Sequence, residues 1–525
     1  VGSVLDATPA LGDAARRNAG GASSATRSGP VSVLTADIVA LVVIAAAGAL
    51  KLAYPLAGDQ SLFAVGGREI LHGAVLYRDF WDVKQPAIYL FSALGGAIFG
   101  FSAVGIHLFE LVYLLAFAAV LQRTLRPSFR TSWTAAAVSV LAIGTYYAGA
   151  SLAALTQVEI LVGFPLYLGV WLALSGAPGR SRGRLFASGV LGGIVCWFKF
   201  VYLPIVAFAW LLVLIRRPEG RGFRPAREIA TDAGAIAAGL AVPVVAFLAY
   251  FGAVGQLSNI RWTYFTFTPK TTGIAGRPLS RLIDGAKDFA QWTAPVVLLA
   301  VVGFVARVRR GWSIWWTAFA GWIVLSVPLF LIQHWWMYQY VLALVPLAIF
   351  AGAGVEWIVE SWSEQRTAAA LVAVVVVLSA LPLGLRFGRS TVLVARNDVG
   401  LTAAGRRAIE DHVDPSYPSA RALGAYLANH RIRGDIYVLG VPTDMYVNGR
   451  DQAIATNGWS PEQYDPVVWK RVTTELRRTR PELVVVDDFT AGIMRQRAPE
   501  TLAVVHRLYE RVGGAGLDTW YRLRR

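Results

Sequence analysis

The stretch GDQSLFAVGGREILHGAVLYRDFWDVKQP, residues 58–86, follows the first long apolar run of the chain and breaks it with charge. Four carboxylates (Asp59, Glu69, Asp79 and Asp82) and three fixed cations (Arg68, Arg78 and Lys84) fall inside it. Elsewhere the chain is apolar: 55% hydrophobic and 16% charged over 525 residues, with a mean hydropathy of +0.51. That balance predicts an α-helical polytopic membrane protein with modest soluble parts. Residues 58–86 then read as the first loop outside the membrane, within an outer segment spanning 57–103.

The net charge of +16, from 49 basic and 33 acidic residues, has a topological reading. Arginines fall in short bursts between apolar runs, which is the positive-inside pattern and speaks for anionic lipid, not nucleic acid. Residues 1–32, rich in Ala, Gly and Ser with Arg16, Arg17 and Arg27, predict a disordered cytoplasmic tail. The run 36–56 reads as a signal anchor that carries the chain outwards. The apolar segment 87–100 is about 14 residues long, short for a span. Counting it as one would also place Arg123, Arg126 and Arg130 outside. It is therefore expected to be a juxtamembrane or re-entrant helix, with 104–121 as the second span.

Further spans are expected near 133–150, 158–175, 185–200, 201–215, 229–253, 292–308, 313–333, 336–355 and 367–386, eleven in all. Their inner loops carry Arg180, Arg182 and Arg184, then Arg216, Arg217, Arg221, Arg224 and Arg227, then Arg307, Arg309 and Arg310. The N-terminus is then cytoplasmic and the C-terminus outside. The membrane domain covers 33–390, and 391–415 is read as a linker. From 416 to 525 the pattern changes to helix, strand (435–440), helix, strand (482–488), a small extracytoplasmic α/β domain. The segment 256–292 reads as a long outer loop with an excess of cations, among them Arg261, Lys270, Arg277, Arg281 and Lys287. It suits either an anionic group or headgroup contact.

Several residues in and around the first loop have the chemistry of a site. Asp59 opens a helical stretch, so it is a helix cap, a general base, or both. Asp79, Asp82 and Lys84 crowd one turn, with Arg78 beside them and Pro86 opening the next helix. Tyr77 and Trp81 are interfacial aromatics that could stack on a sugar. Lys199 lies near a span end and Glu159 at a helix start, where charge marks either a site or a snorkelling side chain. His334 and Tyr338 belong to the aromatic outer end HWWMYQY (334–340). Asp487 and Asp488 end a strand, and read as polar strand-end residues rather than as the acid pair of a metal–nucleotide site, since no Gly-rich phosphate loop follows a strand. The lone Cys196 excludes a disulfide, and no His-x-x-x-His or Cys-x-x-Cys pair gives a metal signature. No cofactor is called for, and a divalent metal is left open.

These residues resemble the GT-C superfamily of integral membrane glycosyltransferases, and within it the branch of protein O-mannosyltransferases (glycosyltransferase family 39) and lipid A aminoarabinose transferases. The likeness rests on Asp59 after the first span, on Tyr77-Arg78-Asp79-Phe80, on Lys84-Gln85-Pro86, and on the late span 334–356. Two departures are visible: the family's acidic pair is Asp59-Gln60 here, and its Lys-Pro-Pro is Lys84-Gln85-Pro86. The resemblance implies a polyprenyl-phosphate sugar as donor, an acceptor hydroxyl on a glycan, lipid or protein, and inverting transfer outside the plasma membrane. Asp59, Asp79 and Asp82 would then be the catalytic carboxylates. Lys84, Arg78, Lys199, His334 and Tyr338 would serve the phosphate, since a leaving phosphate needs cations near the membrane surface. The rival expectation is a transporter or flippase of lipid-linked sugars. Such a protein should show repeated halves and broken spans at the midplane, which the sequence lacks.

Overall fold

The computed structural model describes residues 30–175, 182–215 and 224–525. Most of the expected N-terminal tail, with Arg180, Arg216, Arg217 and Arg221 of the inner loops, lies outside the described residues. Among the described residues, nine helices are long and apolar enough to cross a membrane. One of them, Arg182–Ile215, is a pair of arms joined by the tight turn Phe200–Tyr202. Trp210 Nε1 donates to Ser188 Oγ at 2.8 Å. In one straight helix those residues would stand about 33 Å apart, so the chain reverses at Lys199. Two shorter apolar helices, Pro86–Phe99 and Thr134–Gly149, accompany them, the second over the expected span 133–150. The chain is a multi-pass membrane protein.

Close helix approach holds this bundle together. The long helix Leu279–Arg310 crosses Leu344–Glu364 where both carry glycine. A Cβ at Gly303 would lie 1.9 Å from Phe350 O, and one at Gly354 2.1 Å from Leu299 O. Between apolar helices in lipid no hydrophobic force acts, so small residues that let backbones touch supply the packing.

Two sequence expectations need correction. The segment 256–292 is not an open loop but helix: Leu257–Arg261, Trp262–Phe267, Thr268–Ala275, and then the first turns of Leu279–Arg310. At 32 residues that last helix outruns the bilayer core, so its charged first turns stand beyond the apolar layer. The segment 391–415 is likewise helical rather than a linker, with Leu381–Arg396 continuing past the apolar run and Ala403–Val413 following. The helix Pro86–Phe99, 14 residues long, packs against the helix Asp59–Leu71: a Cβ at Gly67 would sit 2.7 Å from Ala93 N.

The C-terminal unit carries a four-stranded sheet in the order β1-β2-β4-β3, with β1 Tyr437–Leu439, β2 Leu483–Asp487, β3 Tyr509–Ala515 and β4 Asp518–Leu523. The parallel pair β1–β2 is wholly buried, which is why both read as continuous apolar runs. The antiparallel hairpin β3–β4 adds two strands that the sequence reading did not include. This unit sits directly on the first loop. Trp81 N donates to Ala455 O at 2.7 Å, Asn457 Nδ2 to Trp81 O at 2.7 Å, and Tyr417 hydroxyl to Leu56 O at 2.9 Å. The loop of residues 58–86 is therefore clamped between the membrane helices and the sheet domain.

Candidate active site

A cavity of about 970 Å³ opens where these parts meet, with Asp59, Lys84, Arg281, Trp336, Tyr338 and Trp459 on its wall. Asp59 does not cap its helix. Gly58, at a φ of 50°, takes the cap position, and Asp59 accepts no backbone N–H there. Its carboxylate is bound instead by groups from three distant parts of the chain. Lys84 Nζ and Trp459 Nε1 both donate to Oδ1, at 3.1 and 2.7 Å. Only a long 3.4 Å contact from the Tyr338 hydroxyl reaches Oδ2. Burial favours the neutral acid, but the Lys84 charge and these hydrogen bonds outweigh it and hold the Asp59 carboxyl below its ordinary range. At neutral pH the group is an anion with one oxygen lightly used.

Lys84 is half-buried, and the loss of water lowers its pKa, yet Asp59 and Asp82 overcome that and hold it above the ordinary lysine value. Asp82 stands 3.8 Å from Lys84 Nζ and is itself fastened by the Tyr89 hydroxyl and by Asn457 Nδ2 at 3.2 Å. It is 5% exposed and does not line the cavity, so it positions the lysine from behind. Tyr77 has a related duty. Its backbone takes a φ of 70°, unusual for a tyrosine, and its hydroxyl donates to Lys84 O at 2.8 Å and meets that of Tyr264. Such a conformation persists only where its surroundings over-determine it, here by full burial.

Other expected residues fall elsewhere. Asp79 pairs with Arg78 at 2.8 Å on the exposed outside of the loop and accepts Val75 N at 2.9 Å. Neither residue lines the cavity. Trp81 is 1% exposed, donates to Thr263 Oγ1 at 2.9 Å and is a packing anchor rather than a sugar platform. Lys199 is neutralised by Glu159 at 3.0 Å, with Gln333 also on its ammonium and Tyr202 on Glu159 at 2.8 Å. This pair stands behind the cavity wall rather than on it. His334 is pushed down to about 4 by burial and by the charges of Arg281, Lys199, Arg277 and Lys84, so it is neutral at pH 7. Its Nε2 meets Thr271 Oγ1 at 3.1 Å.

The cation that does share the wall with Lys84 is Arg281, seated 4.1 Å over the Trp336 ring and donating to His334 O at 3.1 Å. The sheet domain supplies an acidic part of the wall: Asp444, Asp487 and Asp518. Burial and mutual repulsion raise Asp444, and push Asp518 up to about 6. Asp487 also caps the helix Asp488–Arg497 through Thr490 N at 2.6 Å. Among the described residues, no group of three or more His, Cys, Asp or Glu side chains is arranged to hold a metal ion. Trp459, Asn457, Tyr89, Gln333 and Tyr202 were not picked out from the sequence, and only the aromatic and polar run NGWSPEQY (457–464) hinted at the first two.

The seam between loop and sheet domain carries its own titration. Arg68 Nε meets Asp451 at 2.8 Å, and Glu69 accepts Gln452 N at 2.8 Å. Burial pushes the Glu69 carboxyl up to about 8, against the pull of that N–H. Folded protein thus keeps a proton that the unfolded chain releases above pH 4.5. The stability this gives is complete at low pH and is lost as pH rises to about 8, at up to about 1.4 kcal/mol per pH unit. Glu69→Gln keeps the acceptor oxygen without the ionisation. Its melting temperature should match wild type near pH 5 and exceed it above pH 8, as read by thermal unfolding of the purified protein.

No protein-family model matches the chain, and no curated protein matches it by sequence. Solved structures do resemble it. The crystal structure of ArnT from Cupriavidus metallidurans bound to undecaprenyl phosphate superposes with a TM-score of 0.57 at 14% identity, over 94% of this chain and 98% of that one. The cryo-EM structure of the mycobacterial arabinofuranosyltransferase AftD gives a TM-score of 0.49 at 14% identity, over 95% of this chain and 40% of its own. Over nearly its full length the chain has the fold of ArnT, the membrane architecture implied by the resemblance read from residues 59–86 and 334–356.

Proposed function

We propose that this protein is a glycosyltransferase that moves a sugar from a polyprenyl-phosphate donor to an acceptor hydroxyl, with inversion, on the outer face of the cytoplasmic membrane. The observation that carries this reading is the pairing of an ionised Asp59 with Lys84, 3.1 Å apart on the wall of one large cavity. Undecaprenyl phosphate in the ArnT structure, which has the same fold, supports the choice of donor. In the step proposed, the acceptor oxygen attacks the sugar carbon while its proton passes to Asp59. The bond from that carbon to the phosphate oxygen breaks, and its electron pair leaves with the polyprenyl phosphate. Lys84 and Arg281, both on the cavity wall, stabilise the developing phosphate charge. On the acidic wall of the sheet domain Asp444 is raised by burial and holds its proton, while Asp518, at about 6, is largely ionised at neutral pH and disfavours phosphate, which sorts the donor head to one part of the cavity and the acceptor to another.

The test is transfer from a panel of radiolabelled polyprenyl-phosphate sugars in membranes with and without the protein. The expected result is protein-dependent loss of label from at least one donor into a larger acceptor. Labelled lipid that crosses the bilayer unaltered, with no transfer from any donor, would assign a flippase instead.

A further inference from the structure

A second cavity, of about 560 Å³, lies between the outer end of the first span and the last membrane helix, Leu381–Arg396. Lys51, Arg386, Arg389 and His412 line it, and Leu152 and Val413 are shared with the wall of the Asp59 cavity. Its central feature is Lys51, only 3% exposed. The ammonium donates to Ser390 Oγ at 3.2 Å and, weakly, to Ala150 O at 3.5 Å, and lies 4.4 Å over the Tyr54 ring. No carboxylate is within ion-pair distance of it among the described residues. Burying an ammonium costs several kcal/mol unless a counter-charge is supplied, and the fold supplies none here.

Around Lys51 the balance is positive. Arg386 is paired with Asp288 at 2.8 Å, whereas Arg389 is exposed and makes no ion pair among the described residues. The last membrane helix presents its apolar side outward, with Leu381 57% and Leu385 63% exposed, so the mouth of the cavity lies beside lipid tails. A buried cation and a free guanidinium above an apolar face match a ligand with a charged phosphate and acyl chains. We propose that this pocket binds the phosphate headgroup of a membrane lipid, held by Lys51 and Arg389 with its chains along Leu381 and Leu385. The assignment stands apart from the glycosyl-transfer reading, since it uses none of the Asp59 cavity's charged residues.

The experiment measures binding of dioctanoyl phosphatidic acid to the purified full-length protein in neutral detergent, with dioctanoyl phosphatidylcholine and inorganic phosphate as comparison ligands. Lys51→Met and Arg389→Gln are compared with wild type. The methionine suits a buried site, and Arg389 is exposed, so at least the second variant should fold. The expected result is at least tenfold weaker binding of phosphatidic acid in each folded variant and unchanged binding in Arg78→Gln, whose side chain lines neither cavity. Phosphatidic acid binding unchanged in both variants would overturn the site. Loss of binding in Lys84→Gln alone would move the lipid to the other cavity. Inorganic phosphate bound as tightly as the lipid, or phosphatidylcholine bound equally, would overturn the assignment to a lipid phosphate.

Discussion

Asp59→Asn should reduce transfer by about 10²- to 10⁴-fold, the range a positioned general base supplies. The substitution keeps the side chain's size and leaves an oxygen for Trp459 and Lys84 to hold, so the expected damage is to the chemistry. Oδ2 is the oxygen that matters, because Oδ1 already takes two donors while Oδ2 has one contact at 3.4 Å. The defect should appear in kcat. Donor KM should stay level or fall, because Lys84 loses its anionic partner and is freed for phosphate. Asp79→Asn is the matched control: Asp79 sits on the outside of the loop with Arg78, and its loss should leave transfer within about twofold. A retained rate in Asp59→Asn with full loss in Asp82→Asn would transfer the base to the second carboxylate. Steady-state kinetics on each variant, with folding checked by size exclusion and thermal unfolding, decides between them.

The part of this site that could be read from the sequence is the part that is local in it. Asp59, Asp82 and Lys84 lie within one charged stretch, where their density in an apolar chain is itself the signal. Tyr338 was reachable because an aromatic cluster at a span end is visible on hydropathy alone. Trp459 lies 400 positions from the carboxylate it touches, and one tryptophan in a soluble domain carries no local mark of that contact. The same limit explains what was misassigned. Tyr77 and Trp81 have the composition of a sugar platform, but only the docking of the sheet domain and of the helical segment 257–275 shows both rings turned into packing. Lys199 has the charge of a phosphate ligand, and only the fold brings Glu159 against it. The segment 256–292 reads as loop on its charge, which masks its helical periodicity. Its cations Arg281 and Lys287 ride the projecting first turns of a long helix, where charge and helix are compatible. In the sheet domain, β1 and β2 were legible as buried apolar runs, whereas β3 carries consecutive glycines and a register shift between Arg511 and Gly513 that blurs its alternation.

Lys84→Gln should be as damaging as the loss of the base, by a separable route. Removing one preorganised donor from a developing oxyanion typically costs about 10² to 10³ in rate, and Lys84 carries a full charge as well. Because the phosphate is present in donor and product alike, its loss should raise donor KM and weaken inhibition by free polyprenyl phosphate, neither of which Asp59→Asn should do. The pH profile gives a second separation. Burial alone would raise the Asp59 carboxyl, and it is the Lys84 charge and hydrogen bond, with those from Trp459 and Tyr338, that hold it down. Without the ammonium the carboxyl takes up its proton at higher pH. The acid limb of kcat/KM should therefore move upward in Lys84→Gln, while the variant's remaining activity persists on the alkaline side. An acid limb that stays in place would mean that Asp59 is not the group titrating in the free enzyme. A lowered kcat with unchanged donor KM and unchanged product inhibition would place the phosphate on Arg281 instead, the other cation of the same wall.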